Sequence, residues 1–287
     1  MIPILKVRKP GIYSSFQDLG RRGYQKYGIP ISGALDRKAF SLGNYIMRND
    51  QNAAALEILL QGLELEVLSQ HRLLFTGREI NATLDSKPLP MWKTFTVQKG
   101  QILKIGGNQE SKISYLIPET GFHAPQFLNS SSVFPKGKLG KLLSKDMILY
   151  AAGPASTGGE RGLIADEIPL YQSEVTVNVW KSAHQHLFTQ NAINAFESSE
   201  YVLKTGDRMG FFLSGPLLQA EEGHDILSEA VQFGSIQVPK SGQPIILMAD
   251  AQTIGGYTTI GKAAEEDLWK LAQLPIGGKV RFRFIDQ

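Results

Sequence analysis

The densest group of side chains able to do chemistry brackets one apolar run, residues 245–249. A strand that is apolar throughout is normally covered on both faces, so polar groups at its ends lie where the chain emerges from a core. Glycines at 255 and 256 permit close backbone approach beside that opening. The stretch therefore predicts a small-molecule site on a β scaffold. Its candidate residues are Glu229, Gln237, Asp250, Gln252 and Tyr257.

Other polar residues stand in settings that have two interpretations. Asp18 and Arg21, which follow Gln17 in a glycine-rich turn, could bind a ligand or form a turn-stabilising ion pair. Asn44 lies on an otherwise apolar helix and could be a satisfied buried amide. Arg208, in a predicted β-turn, could clamp a carboxylate through its planar guanidinium.

Several established site types have no support in the sequence. The nearest approach to a phosphate-binding loop, residues 135–142, has Pro135 in place of the first glycine and Leu142 in place of the hydroxyl residue. His184 and His186 are two apart without a third ligand of fitting spacing, which favours solvent-facing rings over a metal site, so no metal is predicted. There is no nucleophile elbow, no cysteine and no Met-Lys-Met biotin-attachment sequence.

Composition indicates a folded globular protein. The 287 residues are 42% hydrophobic and 20% charged, and a net charge of +3 without charge blocks argues against nucleic acid or an anionic membrane as partner. Charges that follow a very short apolar N-terminal patch are the reverse of a secretory signal, and no apolar run has the length of a spanning helix. We therefore expect a cytoplasmic protein.

The elements that position these residues are predicted to be mainly strands. Three segments favour helix: 36–47, 185–196 and 261–273. Nine segments favour strand: 63–68, 73–76, 95–97, 102–105, 113–117, 175–179, 211–213, 245–249 and 280–285. Many strands with a few short helices favour β-barrels or sandwiches, a mostly β (α+β) fold. A polar break near 171–174 divides the chain into domains 1–172 and 173–287.

Together the motifs form a longer pattern, with one group towards each end of the chain. The segments are 17–24, 28–36, Asn44, 55–57, 207–210, 228–229, 234–239, 242–245 and 250–257. The pattern resembles the allophanate hydrolase subunit 2 family, also called the biotin-dependent carboxyltransferase domain, which includes the C-type subunits of 5-oxoprolinases. The resemblance covers nearly the whole chain, and its motifs are long and specific.

The resemblance implies two cyclophilin-like β-barrel domains and a partner, the B-type subunit (allophanate hydrolase subunit 1-like). Together with an A-type subunit, such proteins hydrolyse 5-oxoproline to glutamate at the expense of ATP. In urea carboxylase relatives, the equivalent region transfers a carboxyl group from biotin to urea. One relative antagonises a histidine-kinase inhibitor.

The middle of the chain departs from the family pattern. Relatives carry a Gly-Ser-x-Ser-Thr segment and a later Gly-Gly-x-x-Gly-Arg turn, where this chain has Asn129-Ser-Ser-Ser132 and then Lys141. Lysine cannot reproduce the planar fork of arginine if that group binds a carboxylate. The departures put the middle site, and hence the substrate, in question.

Three functions follow from the resemblance, of which we favour the first. As the C-type component of an ATP-dependent 5-oxoprolinase, the chain would use Asp250 or Glu229 as a base, with ATP bound mainly elsewhere in the complex. As a carboxyltransferase component, it would accept the carboxyl group from a biotin carried by another chain. As a regulatory module, it would catalyse nothing.

For the favoured function, each remaining candidate residue contributes to substrate binding. Arg208 or Arg21 would hold the carboxylate of 5-oxoproline, and Gln237 and Gln252 would hold its lactam N–H and C=O. The other substrate-binding candidates are Gln17, Asp18, Asn44 and Tyr257.

Overall fold

The computed structural model describes residues 1–60, 62–106 and 113–286, and β-strands dominate it. The strands are β1 Ile2–Pro10, β2 Tyr13–Gln17, β3 Ala55–Leu60, β4 Leu63–Val67, β5 His71–Gly77, β6 Ala82–Leu84, β7 Lys87–Pro88, β8 Phe95–Val97, β9 Ile102–Ile105, β10 Ser114–Pro118, β11 Phe122–His123, β12 Ile148–Ala151, β13 Glu174–Lys181, β14 Tyr201–Gly206, β15 Gly210–Ser214, β16 Asp225–Ala230, β17 Ser235–Val238, β18 Ile245–Leu247, β19 Ile254–Ala263 and β20 Lys279–Ile285. The α-helices are α1 Arg37–Met47, α2 Gln190–Ser198 and α3 Leu268–Ala272. The predicted mostly-β class is confirmed.

The chain divides into two compact units. Unit 1 comprises Met1–Arg21 and Asp36–Leu170, and unit 2 comprises Arg22–Leu35 and Tyr171–Gln287. The segment Arg22–Leu35 thus belongs with residues that follow it in sequence by more than a hundred positions. The predicted division of the chain at 172/173 does not account for this early segment of unit 2. As a domain boundary, that division stays a prediction.

Unit 1 contains two antiparallel sheets that share one core. One sheet has the order β11-β12-β1-β4-β9-β6-β7 and the other has the order β2-β3-β10-β5-β8. Alternation along the strands places apolar side chains between them, because successive residues of a strand face opposite sides. Leu65 of β4 and Phe75 of β5 belong to the same buried cluster. Helix α1 contacts β5 and β10.

Unit 2 contains a closed barrel. Its sheet has the order β13-β20-β14-β15-β18-β17-β19-β16, and an additional pairing between β13 and β19 joins the ends of a seven-strand ring. β16 continues along β19 outside that ring. β13 and β20 pair in parallel, with Val177 opposite Phe282. The predicted alternation of β20 is confirmed for its first positions, since Val280 and Phe282 are buried whereas Arg281 and Arg283 are exposed.

The helix predictions have mixed outcomes. Helix α1 matches its prediction, and the Asp36 carboxylate caps it by accepting from the backbone N–H of Ala39 at 2.9 Å. The segment 185–196 splits into a 3₁₀ turn and α2, which Thr189 caps.

The helix predicted at 261–273 is wrong over its first half. Gly261 lies in β19 opposite both Ile236 and Lys181, so ladder pairing on both sides outweighs the helical pattern. A 3₁₀ turn at 265–267 then leads into the short α3. The residues predicted to face inward, Ala264, Leu268, Leu271 and Ala272, are all buried.

Candidate functional site

The ten predicted site residues fall into both units. Gln17, Asp18, Arg21 and Asn44 lie in unit 1. Glu229, Gln237, Arg208, Asp250, Gln252 and Tyr257 lie in unit 2.

Asp18 anchors the serine segment 130–132 in unit 1. Its Oδ1 accepts from the hydroxyls of Ser130 and Ser132 at 2.7 and 2.5 Å and from the backbone N–H of Gly20 at 2.8 Å. Its Oδ2 accepts from the backbone N–H of Ser131 at 2.7 Å. The carboxylate is buried and already receives four hydrogen bonds. This arrangement is that of a structural anchor.

The neighbours of Asp18 contribute to the same attachment. Arg21 donates from Nη2 to the carbonyl of Ser132, and Gln17 Nε2 donates to the carbonyl of Val133 at 3.2 Å. These bonds join the end of β2 to a segment more than a hundred residues away. The Asn129-Ser-Ser-Ser132 sequence, which departs from the family pattern, therefore still supplies the donors that Asp18 requires.

Asn44 ties the end of α1 to the loop that follows it. Its Nδ2 donates to the carbonyl of Ala53, and its Oδ1 accepts from Asn49 Nδ2, each at 3.0 Å. Since both functional groups of this buried amide are satisfied, the structural interpretation of Asn44 accounts for its setting.

Arg208 and Asp250 form a bidentate ion pair in unit 2. Arg208 Nε lies 2.7 Å from Asp250 Oδ2, and Nη2 lies 3.0 Å from Oδ1. Both side chains are 4% exposed. Nη2 also donates to the carbonyl of Gly33 at 2.8 Å, and the backbone N–H of Asp250 donates to the carbonyl of Arg208 at 2.7 Å. The guanidinium of Arg208 therefore binds a carboxylate of the protein itself, that of Asp250, rather than a ligand carboxylate.

Gln237 and Gln252 come together, as expected for carboxamides at the ends of the apolar strand. Gln252 Nε2 donates to Gln237 Oε1 at 3.3 Å. Gln237 Nε2 lies over Gly255, where a Cβ would be only 2.3 Å from that nitrogen. A side chain at 255 would thus displace the Gln237 amide. Gln237 is 2% exposed, and its Nε2 has no hydrogen-bond partner among the described residues.

Glu229 lies on β16 opposite Gly255. It is 45% exposed, and its Oε2 is 3.3 Å from His184 Nε2. The backbone N–H of Thr259 points to His184 Nδ1 at 3.4 Å. Because a backbone N–H can only donate, Nδ1 must be the acceptor nitrogen, and Nε2 then carries the hydrogen that Glu229 accepts. This orientation leaves Oε1 of Glu229 outside the His184 contact.

His184 and Thr259 also lie at the site, although no sequence pattern predicts them there. The sequence favours a solvent-facing ring at His184, whereas the structure places it against Glu229 and β19. Thr259 is 7% exposed, and its Oγ1 has no partner among the described residues. Neither residue belongs to a catalytic motif. Only the fold brings them close to the Ser228-Glu229 segment, so the sequence alone could not have identified them. Tyr257, by contrast, is a predicted residue that stays 42% exposed.

Unit 1 holds a second charged cluster, around Glu119. Its carboxylate accepts from the Ser156 hydroxyl at 2.7 Å and lies 3.2 Å from Arg72 and 3.1 Å from Arg161. Burial opposes ionisation of Glu119, but the Ser156 hydrogen bonds and the two guanidinium charges outweigh it and lower its pKa. Burial also lowers the pKa of His71, whose Nε2 lies 2.9 Å from the Glu119 carbonyl. With its oxygens occupied, the cluster holds the loop at 156–161.

The helix N-termini do not favour a nucleotide phosphate. An anion is stabilised by the free N–H groups of the first turn, but in α1 the Asp36 carboxylate already accepts from the Ala39 N–H and places its own negative charge there. In α2 the Thr189 hydroxyl accepts from the Ala192 N–H at 3.1 Å.

Over the described ranges, no group of three or more His, Cys, Asp or Glu side chains could hold a metal ion. None of the described helices combines the length and apolar character needed to span a membrane.

Comparison with known proteins gives one consistent family. The model of the carboxyltransferase domain, subdomain A and B, matches residues 27–284. The C-type 5-oxoprolinase subunit of Haemophilus influenzae is 35% identical over 99% of this chain and 91% of its own length, and that of Escherichia coli is 32% identical over 97% and 90%. These matches confirm the family resemblance predicted from the motifs.

Larger proteins contain the same domain. The Urea amidolyase of Saccharomyces cerevisiae is 25% identical over 97% of this chain, which spans 16% of that protein. Among solved structures, TTHA0988 has a TM-score of 0.90 at 27% identity, and this chain spans 55% of it. The K. lactis Urea Amidolyase structure has a TM-score of 0.91 at 25% identity, and this chain spans 19% of it.

Proposed function

The chain belongs to the carboxyltransferase A and B domain family, and from this membership we propose that it is the C-type component of an ATP-dependent 5-oxoprolinase. The complex would hydrolyse 5-oxoproline to glutamate. The observation that carries the proposal is the near full-length match, at 35% identity, to a protein named as the C-type 5-oxoprolinase subunit. That name also supports partner subunits, which we propose to be the A-type and B-type proteins. A cytoplasmic location stays a prediction.

Within unit 2, the contacts favour Glu229 over Asp250 as the base. Both oxygens of Asp250 are held by Arg208, so it could accept a proton only at the cost of a buried ion pair. Glu229 is half exposed and is contacted by His184 at one oxygen. A carboxylate with one oxygen fixed and the other available can deprotonate a water molecule. Asp250 and Arg208 then serve to fix the strand ends next to Gln252.

Gln237 would bind the lactam carbonyl. Its Nε2 is a buried donor without a partner among the described residues, and a donor of that kind is costly unless a ligand completes it. Ring opening needs an activated carbonyl, which phosphorylation by ATP would provide. Because Asp36 and Thr189 already cap α1 and α2, we propose that partner subunits bind most of the nucleotide.

Reconstitution tests the proposal. The A-type and B-type proteins are mixed with 5-oxoproline and ATP, and glutamate release is measured with and without this chain. We expect release to require it, and to fall at least a hundredfold with Glu229→Gln, as general-base catalysis contributes about 10²–10⁴-fold. Lys240→Gln, on an exposed surface, is the matched control that keeps activity. Undiminished glutamate release without this chain would refute the proposal.

A carboxyltransferase role is the second candidate, and the matches to urea amidolyases favour it. The chain would then accept a carboxyl group from a biotin on another protein and pass it to an amide substrate. Avidin sequesters biotin, so it separates the two functions. Activity of the assembled complex that avidin abolishes supports carboxyl transfer, whereas activity that avidin leaves intact supports lactam hydrolysis.

A further inference from the structure

A glutamate and a histidine in contact can catalyse proton transfer in two arrangements. Either the carboxylate orients the ring and the ring takes the proton, as in a Ser-His-Asp triad, or the ring orients the carboxylate and the carboxylate takes the proton. Glu229 and His184 are such a pair, with Glu229 Oε2 3.3 Å from His184 Nε2. The contacts of the two ring nitrogens decide between the arrangements.

Both nitrogens of the His184 ring already have a contact. Nδ1 accepts from the backbone N–H of Thr259 at 3.4 Å, and Nε2 faces Glu229. In a triad the carboxylate instead accepts from Nδ1, so that Nε2 stays open to the reacting group. The ring of His184 could therefore take a proton from a substrate or a water molecule only by losing one of its two contacts.

The backbone around His184 holds the ring in this orientation. The Ser182 hydroxyl accepts from the His184 backbone N–H at 3.1 Å and donates to the Thr259 carbonyl. Thr259 is thus joined to the 182–184 segment through both its carbonyl and its N–H. Because strand β19 pairs with β17 and with β13, Thr259 lies on a rigid element that can support the ring.

Glu229 is a side chain that needs such support. It is 45% exposed, and among the described residues His184 alone contacts its carboxylate through an ion pair or a hydrogen bond. An exposed carboxylate without any contact samples many orientations, whereas a base acts efficiently when it is held in the productive one. The contact at Oε2 leaves Oε1 for a water molecule.

We propose that His184 is a positioning residue, which donates from Nε2 to Glu229 Oε2 and so directs Oε1 toward the water that attacks the lactam carbonyl. The inference rests on the proposed function. Glu229 would take one proton from that water as the water oxygen bonds to the carbonyl carbon, and it would return the proton to the ring nitrogen of the lactam as the C–N bond breaks. His184 stays neutral throughout.

Two substitutions separate the two contacts of the ring. In His184→Gln, the side-chain amide can still donate to Glu229 from the position of the ring Nε2, but it cannot titrate. In His184→Asn, the shorter side chain can still accept from the Thr259 N–H, but it does not extend to Glu229. His186→Asn is the matched control, because His186 is exposed and its Nδ1 contacts the Ala183 carbonyl instead.

The assay is steady-state glutamate release from 5-oxoproline and ATP by the complex with the A-type and B-type proteins. We expect His184→Asn to lower kcat about tenfold, the effect of one hydrogen bond, and to leave KM unchanged, because the contact serves the transition state. His184→Gln and the control should keep most of the wild-type kcat. Added to Glu229→Gln, His184→Asn should cause no further loss, since it acts through that carboxylate.

The opposite outcomes overturn the inference. If His184→Gln loses as much activity as His184→Asn, the ring itself takes the proton or only supports the fold, and thermal unfolding of both variants separates these two cases. A His184→Asn variant with wild-type kcat, a change in KM alone, or a double variant whose loss is the product of the single losses would also refute it. Glutamate release that still requires this chain would leave the proposed function standing in these cases, whereas release without the chain would remove both.

Discussion

Separating the two members of the Arg208–Asp250 pair should strongly destabilise unit 2. The side chains are 4% exposed, and two short contacts join them. Asp250→Leu would leave a guanidinium buried without its counterion, and Arg208→Met would leave a carboxylate in the same position. Removing one member of a buried ion pair typically costs about 3–5 kcal/mol in the free energy of unfolding.

The double variant should cost less than either single one. With both charges absent, no uncompensated ion is buried, and replacing such a pair by apolar residues is often nearly neutral. One cost remains, because Arg208 Nη2 also donates to the Gly33 carbonyl at 2.8 Å. Losing that bond should cost about 1–2 kcal/mol. We therefore expect the double variant to be about 2 kcal/mol more stable than the single variants.

Urea unfolding measures these differences. Trp180 and Trp269 lie in unit 2 and Trp92 lies in unit 1, so all variants are compared in a Trp92→Phe background, where fluorescence reports the unit 2 transition. With a slope of about 3 kcal/mol per molar urea, each single variant should lower the midpoint by about 1–2 M. Lys240→Met, which removes a charge from the exposed pair with Asp225, serves as control and should leave the midpoint unchanged.

One result would contradict the coupling of these two charges. Single variants that lose less than about 1 kcal/mol, or a double variant whose loss equals the sum of the two single losses, would show that the charges do not depend on each other. Arg208 would then be available to a ligand, as its predicted turn position suggests. Its proposed role in fixing the strand ends next to Gln252 would be wrong.

Three further predictions concern other buried groups. Tyr201→Phe should stabilise unit 2 by about 1 kcal/mol in urea unfolding, because the Tyr201 hydroxyl is buried without a partner among the described residues. Acidification should destabilise unit 1 in two stages, which are seen when the free energy of unfolding of the wild type is measured against pH. Folding lowers the pKa of His71, so the contribution of His71 to that free energy declines as the pH falls below 6.5. Glu119 has a folded pKa below 4.5, so its contribution is present above that pH and is lost below it. Glu119→Gln should flatten this second stage and deepen the first, because the Glu119 charge raises the pKa of His71. Gly255→Ala should weaken 5-oxoproline binding in calorimetry by displacing the Gln237 amide, while Gly256→Ala, where the nearest atom is 3.3 Å away, should have the smaller effect.

The sequence predicts the elements well wherever local pattern and tertiary pairing agree. The alternation in β20 identifies its buried face, and the Asp36 cap marks the start of α1. The prediction fails at Gly261, where a helical spacing lies in a strand paired on both edges. Periodicity describes one segment alone, so it cannot report the partners that decide between the two structures.

The site shows the same limit. Gln237 and Gln252 are expected together because one strand separates them in sequence, and they do form a hydrogen bond. The serines that bind Asp18 lie more than a hundred residues away in a loop, and their contact follows from the tertiary structure alone. His184 has no motif around it, so its contact with Glu229 depends on where β13 ends beside β19.

The closed ring of unit 2 has a consequence for synthesis. β20 lies between β13 and β14 in the ring, so the barrel cannot close until residue 285 has left the ribosome. Residues 22–35 emerge from the ribosome long before the strands of unit 2. The backbone N–H of Ser32 can therefore donate to the Ala249 carbonyl only after residue 249 has been synthesised. We therefore expect nascent chains that stop short of β20 to expose apolar barrel surface and to be the forms that chaperones retain.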